Sequence, residues 1–326
     1  MNVFVTGGAG YIGSHVVRLL AEAGHRVRVY DNLSEGHRAA VPAGALFEGD
    51  LMDEARLVEG LSGGFDCVMH FAAHCYVGES MENPEKYYRN NVIGSLRLAA
   101  AMRQAGVGRI VFSSSAATYG NPVRTPIPED HPQDPINAYG QTKLDFEHVL
   151  KYYAGAYGLG FAALRYFNAA GAAPDARIGE DHDPETHLVP IVLQVALGQR
   201  KNVAIFGTDY PTPDGTCVRD YIHVYDLAQA HILAMEAIEP GKGLAFNLGN
   251  GSGYSVREVI ETARRVTGRK IPVKEGPRRA GDPPTLVASS EKIIRGLGWK
   301  PKFPQLQEIV ETAWRWHRAH PDGYGD

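Results

Sequence analysis

The sequence predicts an α/β fold with a doubly wound parallel sheet and a smaller α/β domain at its C-terminal end. Short apolar runs alternate with helical patterns through the first half of the chain. A turn rich in glycine follows the first run, and the composition changes near residue 169. Because such alternation covers a parallel sheet on both faces, the first half is interpreted as a Rossmann-type domain.

The glycine turn joins the first predicted strand to the first predicted helix. Residues 2–6 are mostly apolar, and Gly7, Gly10 and Gly13 follow at a spacing of three. Glycine adopts positive φ and lets the main chain approach a phosphate closely. Apolar residues at helical spacing then predict a helix over 11–23. Because N–H groups are free at a helix N-terminus, the turn predicts a pyrophosphate site.

A second predicted strand, 25–30, ends at Asp31 and Asn32. An acid at this position binds the adenosine ribose hydroxyls in dinucleotide-binding folds. The glycine spacing is Gly-x-x-Gly-x-x-Gly instead of the Gly-x-Gly-x-x-Gly of most dehydrogenases. Glycine turns are common, and Asp31 could simply end a strand. The ordered succession of strand, turn, helix, strand and acid favours a dinucleotide site.

The alternation of strands and helices continues along the first half. Strands are predicted at 45–47, 67–71, 109–112 and 160–165, and helices at 53–61, 84–105 and 138–156. The carboxyl ends of parallel strands meet at one edge of a sheet, where ligands bind. The residues expected to line this crevice are Asp31, Asp50, Ala72, Ala73, Ser113, Ser114, Ser115, Tyr166, Phe167 and Asn168.

We predict a nucleotide-binding domain over 1–168 and a mainly substrate-binding domain over 169–326. Residues 169–190 are rich in Gly, Pro, Asp and His and show little periodicity. Segments near 218–248, in particular 218–226 and 245–248, are expected to return to the edge of the first sheet. The helices predicted in the second half lie at 187–198, 226–237 and 255–267.

The composition excludes several classes of protein. A net charge of −4 with scattered signs gives no basic surface for nucleic acid or membrane lipid. Three cysteines are too few and too scattered for a disulfide framework or a zinc site, so no metal is predicted. No apolar run approaches the roughly 20 residues that span a bilayer, and Met1 leads directly into the first strand. We predict a cytoplasmic protein.

Tyr139 and Lys143 lie four residues apart and share one face of the predicted helix 138–156. Lowering a tyrosine pKa from about 10 to about 7 requires about 4 kcal/mol of phenolate stabilisation. The Lys143 ammonium supplies stabilisation of this sign, and a positively charged nicotinamide adds to it. Ser115, at the end of the preceding strand, can hydrogen-bond the same reacting oxygen. These three residues predict acid–base chemistry at a carbinol carbon.

The pair Tyr-x-x-x-Lys also occurs by chance in many helices, where it is usually solvated. Here the pair follows the fifth strand of a nucleotide-binding pattern, and a serine ends that strand. This position favours the catalytic interpretation over the solvated pair.

With these residues, the chain resembles the extended short-chain dehydrogenase/reductase superfamily and, within it, the UDP-glucose 4-epimerase family. The resemblance spans nearly all 326 residues. The matching segments include Gly7-Gly-Ala-Gly-Tyr-Ile-Gly13, Gly49-Asp-Leu51, Ser113-Ser-Ser-Ala116, Arg165-Tyr-Phe-Asn168, Val218-Arg-Asp-Tyr-Ile-His223 and Arg278-Arg-Ala-Gly-Asp282.

The resemblance implies NAD as the cofactor and a UDP-sugar as the substrate. Tyr139 is implied to be the base, with Lys143 and Ser115 as further catalytic residues. The implied cofactor-binding residues are Gly7, Gly10, Tyr11, Ile12, Gly13, Asp31, Asn32, Asp50, Leu51, Phe71, Ala72, Ala73, Asn91, Ser113, Tyr139, Lys143 and Tyr166. The implied substrate-binding residues are Ser115, Tyr139, Asn168, Leu188, Phe206, Arg219, Arg279, Asp282 and Leu286. For the two arginines the alternative is an ordinary surface ion pair.

The activity implied is NAD-dependent interconversion of UDP-glucose and UDP-galactose through a 4-keto intermediate. Two positions depart from the family pattern. Cys75 matches a position where many members carry a lysine near the cofactor pyrophosphate. Leu286 matches a gate where a bulky tyrosine excludes N-acetylated sugars. Because leucine is intermediate in bulk, we predict that UDP-N-acetylhexosamines are at least partly accepted.

Other functions are weighed against this one. Nucleotide-sugar 4,6-dehydratases need an Asp–Glu pair directly after the position of Ser115, but Ala116 and Ala117 follow it here. Alanine cannot move a proton, so dehydration is rejected. A UDP-pentose 4-epimerase stays open because its reaction is the same. A non-catalytic NAD(H)-sensing protein on the same fold is disfavoured by the presence of Tyr139 and Lys143.

A homodimer is also implied. The predicted helices around 84–105 and 144–157 carry more apolar and aromatic surface than one sheet face needs, notably Tyr152, Tyr153 and Tyr157. Pairing of these helices across a two-fold axis would bury this surface. Ordinary packing on the sheet is the alternative.

Overall fold

A computed structural model of the chain describes residues 1–279 and 282–325. Its strands are β1 (Asn2–Thr6), β2 (Arg26–Asp31), β3 (Leu46–Glu48), β4 (Cys67–His70), β5 (Arg109–Ser115), β6 (Gly160–Tyr166), β7 (Asn168–Ala170), β8 (Val203–Phe206), β9 (Val218–Arg219), β10 (Tyr221–His223), β11 (Gly243–Leu248), β12 (Tyr254–Ser255), β13 (Val273–Gly276) and β14 (Thr285–Leu286). Its helices are α1 (Tyr11–Glu22), α2 (Glu54–Leu61), α3 (Val77–Glu82), α4 (Pro84–Tyr87), α5 (Ser95–Ala105), α6 (Ala138–Tyr157), α7 (Leu188–Ala196), α8 (Val224–Glu236), α9 (Val256–Thr267), α10 (Glu291–Leu297) and α11 (Leu306–Ala319).

The central sheet has seven strands in the order β11-β6-β5-β4-β1-β2-β3. All its neighbours pair in parallel. The strand order reverses at β1, which lies between β2 and β4, and such a switch point is where open α/β sheets bind ligands. The predicted doubly wound Rossmann-type fold is therefore confirmed.

Side chains of β1 alternate between the two faces of this sheet, as expected for a buried parallel strand. Val3 and Val5 pack with α1 and α8 on one face. Phe4 packs with α2, α5 and α6 on the other face. The two layers of helices leave the carboxyl edge of the sheet open for a site.

Two local predictions in the first half differ from the structure. β5 continues to Ser115, so the residues at 113–115 form the end of the strand instead of the loop after it. The predicted helix 84–105 is divided into α4, a π-helical segment over Tyr88–Gly94, and α5. The wider turn carries Asn91, whose side-chain amide accepts from His74 N at 2.9 Å and donates to His74 O at 3.0 Å.

The prediction that 218–226 joins the central sheet is wrong, whereas 245–248 does lie in its edge strand, β11. β9 pairs with β12 and β14, and β10 pairs with β7. The cause is Asp220, between β9 and β10, whose carboxylate accepts from the main-chain N–H groups of Asn250 and Ala288 at 2.7 and 3.0 Å. These bonds hold the segment against loops of the second half.

The second half has a core of its own, in which α7, α9 and α11 pack around β8 and β10. Val192, Ile260 and Ile309 lie at its centre and are fully buried or nearly so. The boundary between 168 and 169 stays a prediction. Among the described residues, no helix is both long enough and apolar enough to cross a membrane.

Candidate active site

The glycine turn is closed so tightly that two of its positions exclude a side chain. A Cβ at Gly13 would lie 2.1 Å from the carbonyl oxygen of Gly7. Gly7 has a φ of +70°, and a Cβ there would lie 2.4 Å from the nitrogen of Ala72. Gly10 is the N-cap of α1 and offers no side chain to the first turn. The N–H groups of that turn are therefore available to an anion.

Tyr11 and Ile12 begin α1 directly after this turn. The Tyr11 hydroxyl donates to the carbonyl oxygen of Gly171 at 2.7 Å. Ile12 packs against the core between the sheet and α1. Tyr11 thus ties the turn to the loop that follows β7.

Asp31 ends β2 beside the glycine turn. Its carboxylate accepts from the main-chain N–H groups of Ala9 and Leu33, both at 2.9 Å. Burial raises the pKa of Asp31, and these two hydrogen bonds oppose that shift. Each carboxylate oxygen retains a lone pair that can accept from a ligand hydroxyl. Next to it, Asn32 donates to Asp50 Oδ2 at 2.7 Å.

Many of the predicted cofactor residues meet in one cleft at the carboxyl edge of the sheet. Of the predicted residues, its walls contain Gly7, Gly10, Asp31, Asn32, Leu51, Phe71, Ala72 and Ala73. The residues that sequence reasoning missed are Tyr30, Ser34, Glu35, Gly36, Gly49, His74 and Asn90. Most of these are chain neighbours of predicted residues, so extending each motif by a few positions would have found them.

The three predicted catalytic residues come together where β5 ends and α6 begins. Asn137 caps α6 by accepting from Gly140 N at 2.8 Å, which places Tyr139 in the first turn. The Ser115 hydroxyl lies near enough to Tyr139 to lower the pKa of its phenol. One turn further on, Lys143 Nζ lies 5.8 Å from the centre of the Tyr139 ring. The end of β5 and the start of α6 thus form one acid–base cluster.

The pKa of Tyr139 is raised, whereas the sequence predicts that Lys143 lowers it. Burial raises the pKa well above its ordinary value, although the nearby Ser115 hydroxyl acts in the opposite direction. Burial also lowers the pKa of Lys143 to about 8. The pKa of a buried tyrosine rises because burial disfavours its charged form. Lys143 alone therefore does not make Tyr139 a base at neutral pH, and further positive charge is needed.

Other predicted residues hold the catalytic residues and the neighbouring loop in place through hydrogen bonds. Lys143 Nζ donates to the carbonyl oxygen of Ser113 at 2.8 Å. The Ser113 hydroxyl hydrogen-bonds the Tyr166 hydroxyl. Asn91 uses its amide on the main chain of His74 and on Thr142 Oγ1, at 3.2 Å for the latter. Asn91 thus positions the loop after β4 against α6.

Cys75, the position where the resemblance implies a lysine, lies in the loop after β4, next to His74 of the cleft. Its side chain is exposed to solvent. Surrounding atoms nevertheless raise the thiol pKa, while the charges of His182 and Lys143 act in the opposite direction. The thiol therefore stays neutral and supplies no positive charge.

The predicted substrate residues form two groups in the second half. Arg219 Nη2 lies 2.8 Å from Asp282 Oδ1, and Leu286 pairs with Arg219 in the parallel β14–β9 ladder. The Arg279 guanidinium carbon lies 3.9 Å from the centre of the Phe206 ring.

Two further substrate residues lie at the ends of nearby elements. Asn168 donates to the carbonyl oxygen of Asp220 at 3.1 Å, and Leu188 begins α7. The Arg219–Asp282 contact shows that the ion pair considered as an alternative is present for Arg219.

Comparison with known proteins agrees with this geometry. Residues 3–249 match the model of the NAD dependent epimerase/dehydratase family. The chain is 56 % identical over 327 residues to the UDP-glucose 4-epimerase of Halalkalibacterium halodurans, covering 99 % of this chain and 98 % of the relative.

Solved structures extend the similarity to the fold. A crystal structure of a UDP-glucose 4-epimerase is 49 % identical, covers 99 % of each chain and superposes with a TM-score of 0.96. The Brucella ovis UDP-glucose 4-epimerase in complex with NAD is 52 % identical, with coverage of 96 % and 97 % and a TM-score of 0.93. The chain belongs to the NAD dependent epimerase/dehydratase family.

Proposed function

We propose that this protein epimerises UDP-glucose and UDP-galactose at C4 of the sugar, with NAD as a bound cofactor. The observation that carries the proposal is the meeting of Tyr139, Ser115 and Lys143 at the carboxyl edge of the sheet that also carries the glycine turn. Full-length similarity to relatives named UDP-glucose 4-epimerase supports the choice of substrate.

The residues around the cleft fit NAD. Gly7 and Gly13 exclude side chains, and the uncapped start of α1 provides N–H donors for a pyrophosphate. Asp31 offers free lone pairs for the adenosine ribose hydroxyls. Lys143 is placed to contact the nicotinamide ribose. When bound, NAD would accept a hydride from C4 of the sugar and return it to the opposite face of the 4-keto sugar.

Tyr139 is assigned as the group that takes the proton of the sugar 4-hydroxyl. Its neutral form is favoured by burial, so its phenolate requires nearby cations, the Lys143 ammonium and the oxidised cofactor. Ser115, which lies near Tyr139 at the end of β5, can donate to the same sugar oxygen. The proton then moves back from Tyr139 when the 4-hydroxyl is restored.

The nucleotide end of the substrate is assigned to the second half of the chain. Arg219 and Arg279 each offer a planar set of donors that suits a diphosphate. Asp282 Oδ1 lies 2.8 Å from Arg219 Nη2 and holds the guanidinium group in place. Phe206, which is 37 % exposed and lies under the Arg279 guanidinium, provides an apolar surface for a ring. Anchoring UDP remotely leaves the sugar free to turn over between the two hydride transfers.

The test is equilibration of UDP-glucose with UDP-galactose by purified protein without added reductant. Tyr139→Phe is expected to lower the rate by about 10²–10⁴-fold, the usual contribution of a general acid–base group. Tyr157→Phe, on an exposed part of α6, is the matched control and is expected to keep the rate. A Tyr139→Phe variant with most of its activity would contradict the assignment.

A UDP-pentose 4-epimerase would use the same residues and is the second candidate. A UDP-glucose 4-epimerase from Stenotrophomonas maltophila, 40 % identical to this chain, was crystallised with bound NAD and formylated UDP-arabinopyranose. Comparing kcat/KM for UDP-hexoses and UDP-pentoses separates the two activities. We expect the higher value with UDP-glucose, and a higher value with a UDP-pentose would favour the second candidate.

We further propose that the protein is a homodimer that pairs through the π-helical segment and α6. Ile93 is 45 % exposed and Tyr152 is 78 % exposed, although both are large and apolar or aromatic. Light scattering is expected to give twice the mass of the chain, and Ile93→Lys is expected to shift it to a monomer. Val123→Lys, at an equally apolar site that is 81 % exposed, is the control. A monomeric wild-type protein would exclude this assembly.

A further inference from the structure

The loop between β7 and α7 gathers two carboxylates and two imidazoles from Glu180, His182, Glu185 and His187. One ligand atom of each residue lies within 4.8 Å of those of the others. Both glutamate side chains are 3 % exposed, and that of His182 is 12 % exposed. The side chain of His187 is 40 % exposed, so the four groups form a cluster that is buried on the glutamate side and open to solvent at His187.

The distances between the imidazole nitrogens and the carboxylate oxygens of this cluster are close to those between ligand atoms of a tetrahedral metal ion. His182 Nδ1 lies 3.5 Å from Glu180 Oε1 and 3.6 Å from Glu185 Oε2. His187 Nδ1 lies 3.1 Å from Glu180 Oε1 and 2.9 Å from Glu185 Oε1. Bonds of about 2.0–2.1 Å to tetrahedral Zn²⁺ place neighbouring ligand atoms about 3.3 Å apart. The four imidazole–carboxylate distances, from 2.9 to 3.6 Å, lie on either side of this value.

An independent observation points to an ion at the same place. Glu180 Oε1 and His182 Nδ1 are buried, and neither makes a hydrogen bond of acceptable geometry with the described residues. Buried polar atoms are nearly always satisfied, so two of them facing each other require an explanation. A cation between them would satisfy both atoms at once.

The charge and the chemistry of the cluster identify the kind of ion. With neutral imidazoles, the two glutamates carry two negative charges, which a divalent cation balances. Imidazole together with carboxylate suits Zn²⁺, whereas Mg²⁺ and Ca²⁺ prefer oxygen ligands alone. The rings of Tyr11 and Tyr76 lie edge-on to His182, with centroids 6.2 and 6.4 Å from it, and help to enclose the cluster.

We propose that Glu180, His182, Glu185 and His187 bind a structural Zn²⁺ ion outside the catalytic cluster. Four protein ligands without an open position are typical of structural zinc. The same loop starts at Gly171, whose carbonyl oxygen accepts from Tyr11 in the glycine turn. The ion would therefore fix this loop against the pyrophosphate end of the cofactor cleft.

The competing state is a metal-free cluster in which both histidines are protonated. Burial lowers the pKa of His182, but Glu180 and Glu185 outweigh burial and raise it well above its ordinary value. The pKa of His187 shifts in the same direction for the same reason. The net charge of two imidazolium ions and two carboxylates is zero, as is that of a divalent cation and two carboxylates. The two states differ in metal content, which can be measured without any assay of activity.

The experiment uses the full chain without an affinity tag, stripped with a chelator and re-equilibrated with Zn²⁺. We expect one equivalent of tightly bound zinc by mass spectrometry of the metal content. Co²⁺ in place of Zn²⁺ is expected to give the intense visible absorption of a tetrahedral site. His182→Asn and His187→Asn are each expected to weaken Zn²⁺ binding at least about 10-fold, since each removes a ligand.

His148→Asn is the matched control because His148 is exposed on α6, away from the cluster. It is expected to bind zinc like the wild-type protein. Wild-type protein that retains no zinc after equilibration would overturn the proposal and leave the protonated cluster as the state of this loop. Undiminished binding in both His182→Asn and His187→Asn would overturn it as well. The wild-type measurement decides the question even if a variant fails to fold.

Discussion

The Lys143 ammonium donates a 2.8 Å hydrogen bond to the main-chain carbonyl oxygen of Ser113 in β5. This bond fixes the lysine to the strand that ends at Ser115, and it leaves the positive charge unneutralised. Tyr139 lies one helical turn before Lys143, with its ring centre 5.8 Å from Nζ. Lys143 is therefore placed to stabilise the Tyr139 phenolate through its charge.

Replacing Lys143 with methionine is expected to move the acidic limb of the kcat–pH profile to higher pH. Loss of an opposite charge disfavours the Tyr139 phenolate, by about 1–3 pH units for a close pair. At neutral pH, kcat is expected to fall by about 10²–10³-fold. Lys151→Met, on the exposed side of α6, should keep the wild-type profile. An acidic limb that does not move in Lys143→Met would show that the lysine does not tune the tyrosine.

Two glycines of the turn are expected to respond differently to alanine. Gly13→Ala should lower the free energy of unfolding by about 1–3 kcal/mol, since its Cβ has no room and the main chain must shift. At Gly10 the nearest atom to a Cβ is Gly7 O at 3.5 Å, so Gly10→Ala should fold normally. The methyl group of Gly10→Ala would nevertheless occupy the space in which the pyrophosphate is proposed to bind. Urea denaturation measures the first effect.

The NAD content of the purified protein measures the effect at Gly10. We expect Gly10→Ala to retain less than about a tenth of the wild-type NAD, because a methyl group prevents close approach of the main chain to a phosphate. Wild-type NAD content in Gly10→Ala, with unchanged stability, would place the pyrophosphate elsewhere.

The sequence was sufficient to predict those parts of the site that depend on strand order. Asp31, Ala72 and Ser115 all lie at strand ends, and parallel strands bring their carboxyl ends to one edge whatever the details of packing. For the same reason, Tyr139 and Lys143 could be placed on one helix face from their spacing alone. Apolar residues recur at regular spacing because the sheet must be buried. Their periodicity therefore predicts the strand ends and helix faces on which these residues lie.

Features that depend on packing in three dimensions were not predictable in this way. The pKa of Tyr139 depends on how densely atoms surround it, and spacing carries no information about that. The sheet partners of 218–223 are decided by the buried carboxylate of Asp220, whose partners lie at 250 and 288. The cluster of Glu180, His182, Glu185 and His187 was not predicted, because the prediction about metal sites rested on the cysteines alone. Its histidines and glutamates lie in a loop without periodicity.

The buried ion pair of Glu147 with Arg165 is expected to be essential for stability. Their side chains are 7 % and 6 % exposed, and Arg165 Nε donates to Glu147 Oε1 at 2.9 Å. Glu147→Gln leaves a buried arginine without its counter-charge, which costs about 3–5 kcal/mol. Glu239→Gln removes one partner of an exposed pair with Lys242 and should cost less than about 1 kcal/mol. Urea unfolding that shows equal losses in the two variants would contradict this expectation.

Leu286 is expected to control the acceptance of N-acetylated sugars. It is half-buried in β14 and pairs with Arg219, which we assign to the substrate, so a larger side chain would narrow the proposed sugar site. We expect the wild-type protein to turn over UDP-N-acetylglucosamine at more than about a hundredth of its rate with UDP-glucose. Leu286→Tyr should lower that ratio at least about 10-fold. Thr285→Tyr, whose side chain points to the other face of the strand, should leave the ratio unchanged.

Acid is expected to destabilise the protein because several histidines are buried in their neutral form. Burial lowers the pKa of His70 and of His223 to about 3, and the pKa of His15 and of His231 to about 4. The unfolded chain has an ordinary histidine pKa near 6.5, so it binds more protons than the folded protein below that pH. The stability contributed by the neutral histidines is therefore complete above about pH 6.5 and decreases as the pH falls towards 4.

His70 allows this effect to be tested at one position. Its Nδ1 and Nε2 atoms hydrogen-bond Thr6 Oγ1 and Ser95 Oγ at 2.7 and 2.8 Å, and burial of the ring disfavours its charged form. Lowering the pH from 7 to 5 should cost up to about 2 kcal/mol for each such histidine. In urea unfolding, His70→Gln should lose less stability over this range than the wild-type protein, even if it starts lower. His148→Gln, at an exposed position, should lose as much as the wild type. Equal losses in all three proteins would mean that His70 does not cause the loss of stability in acid. Because the other titrating groups are the same in all three proteins, their contributions cancel in the comparison.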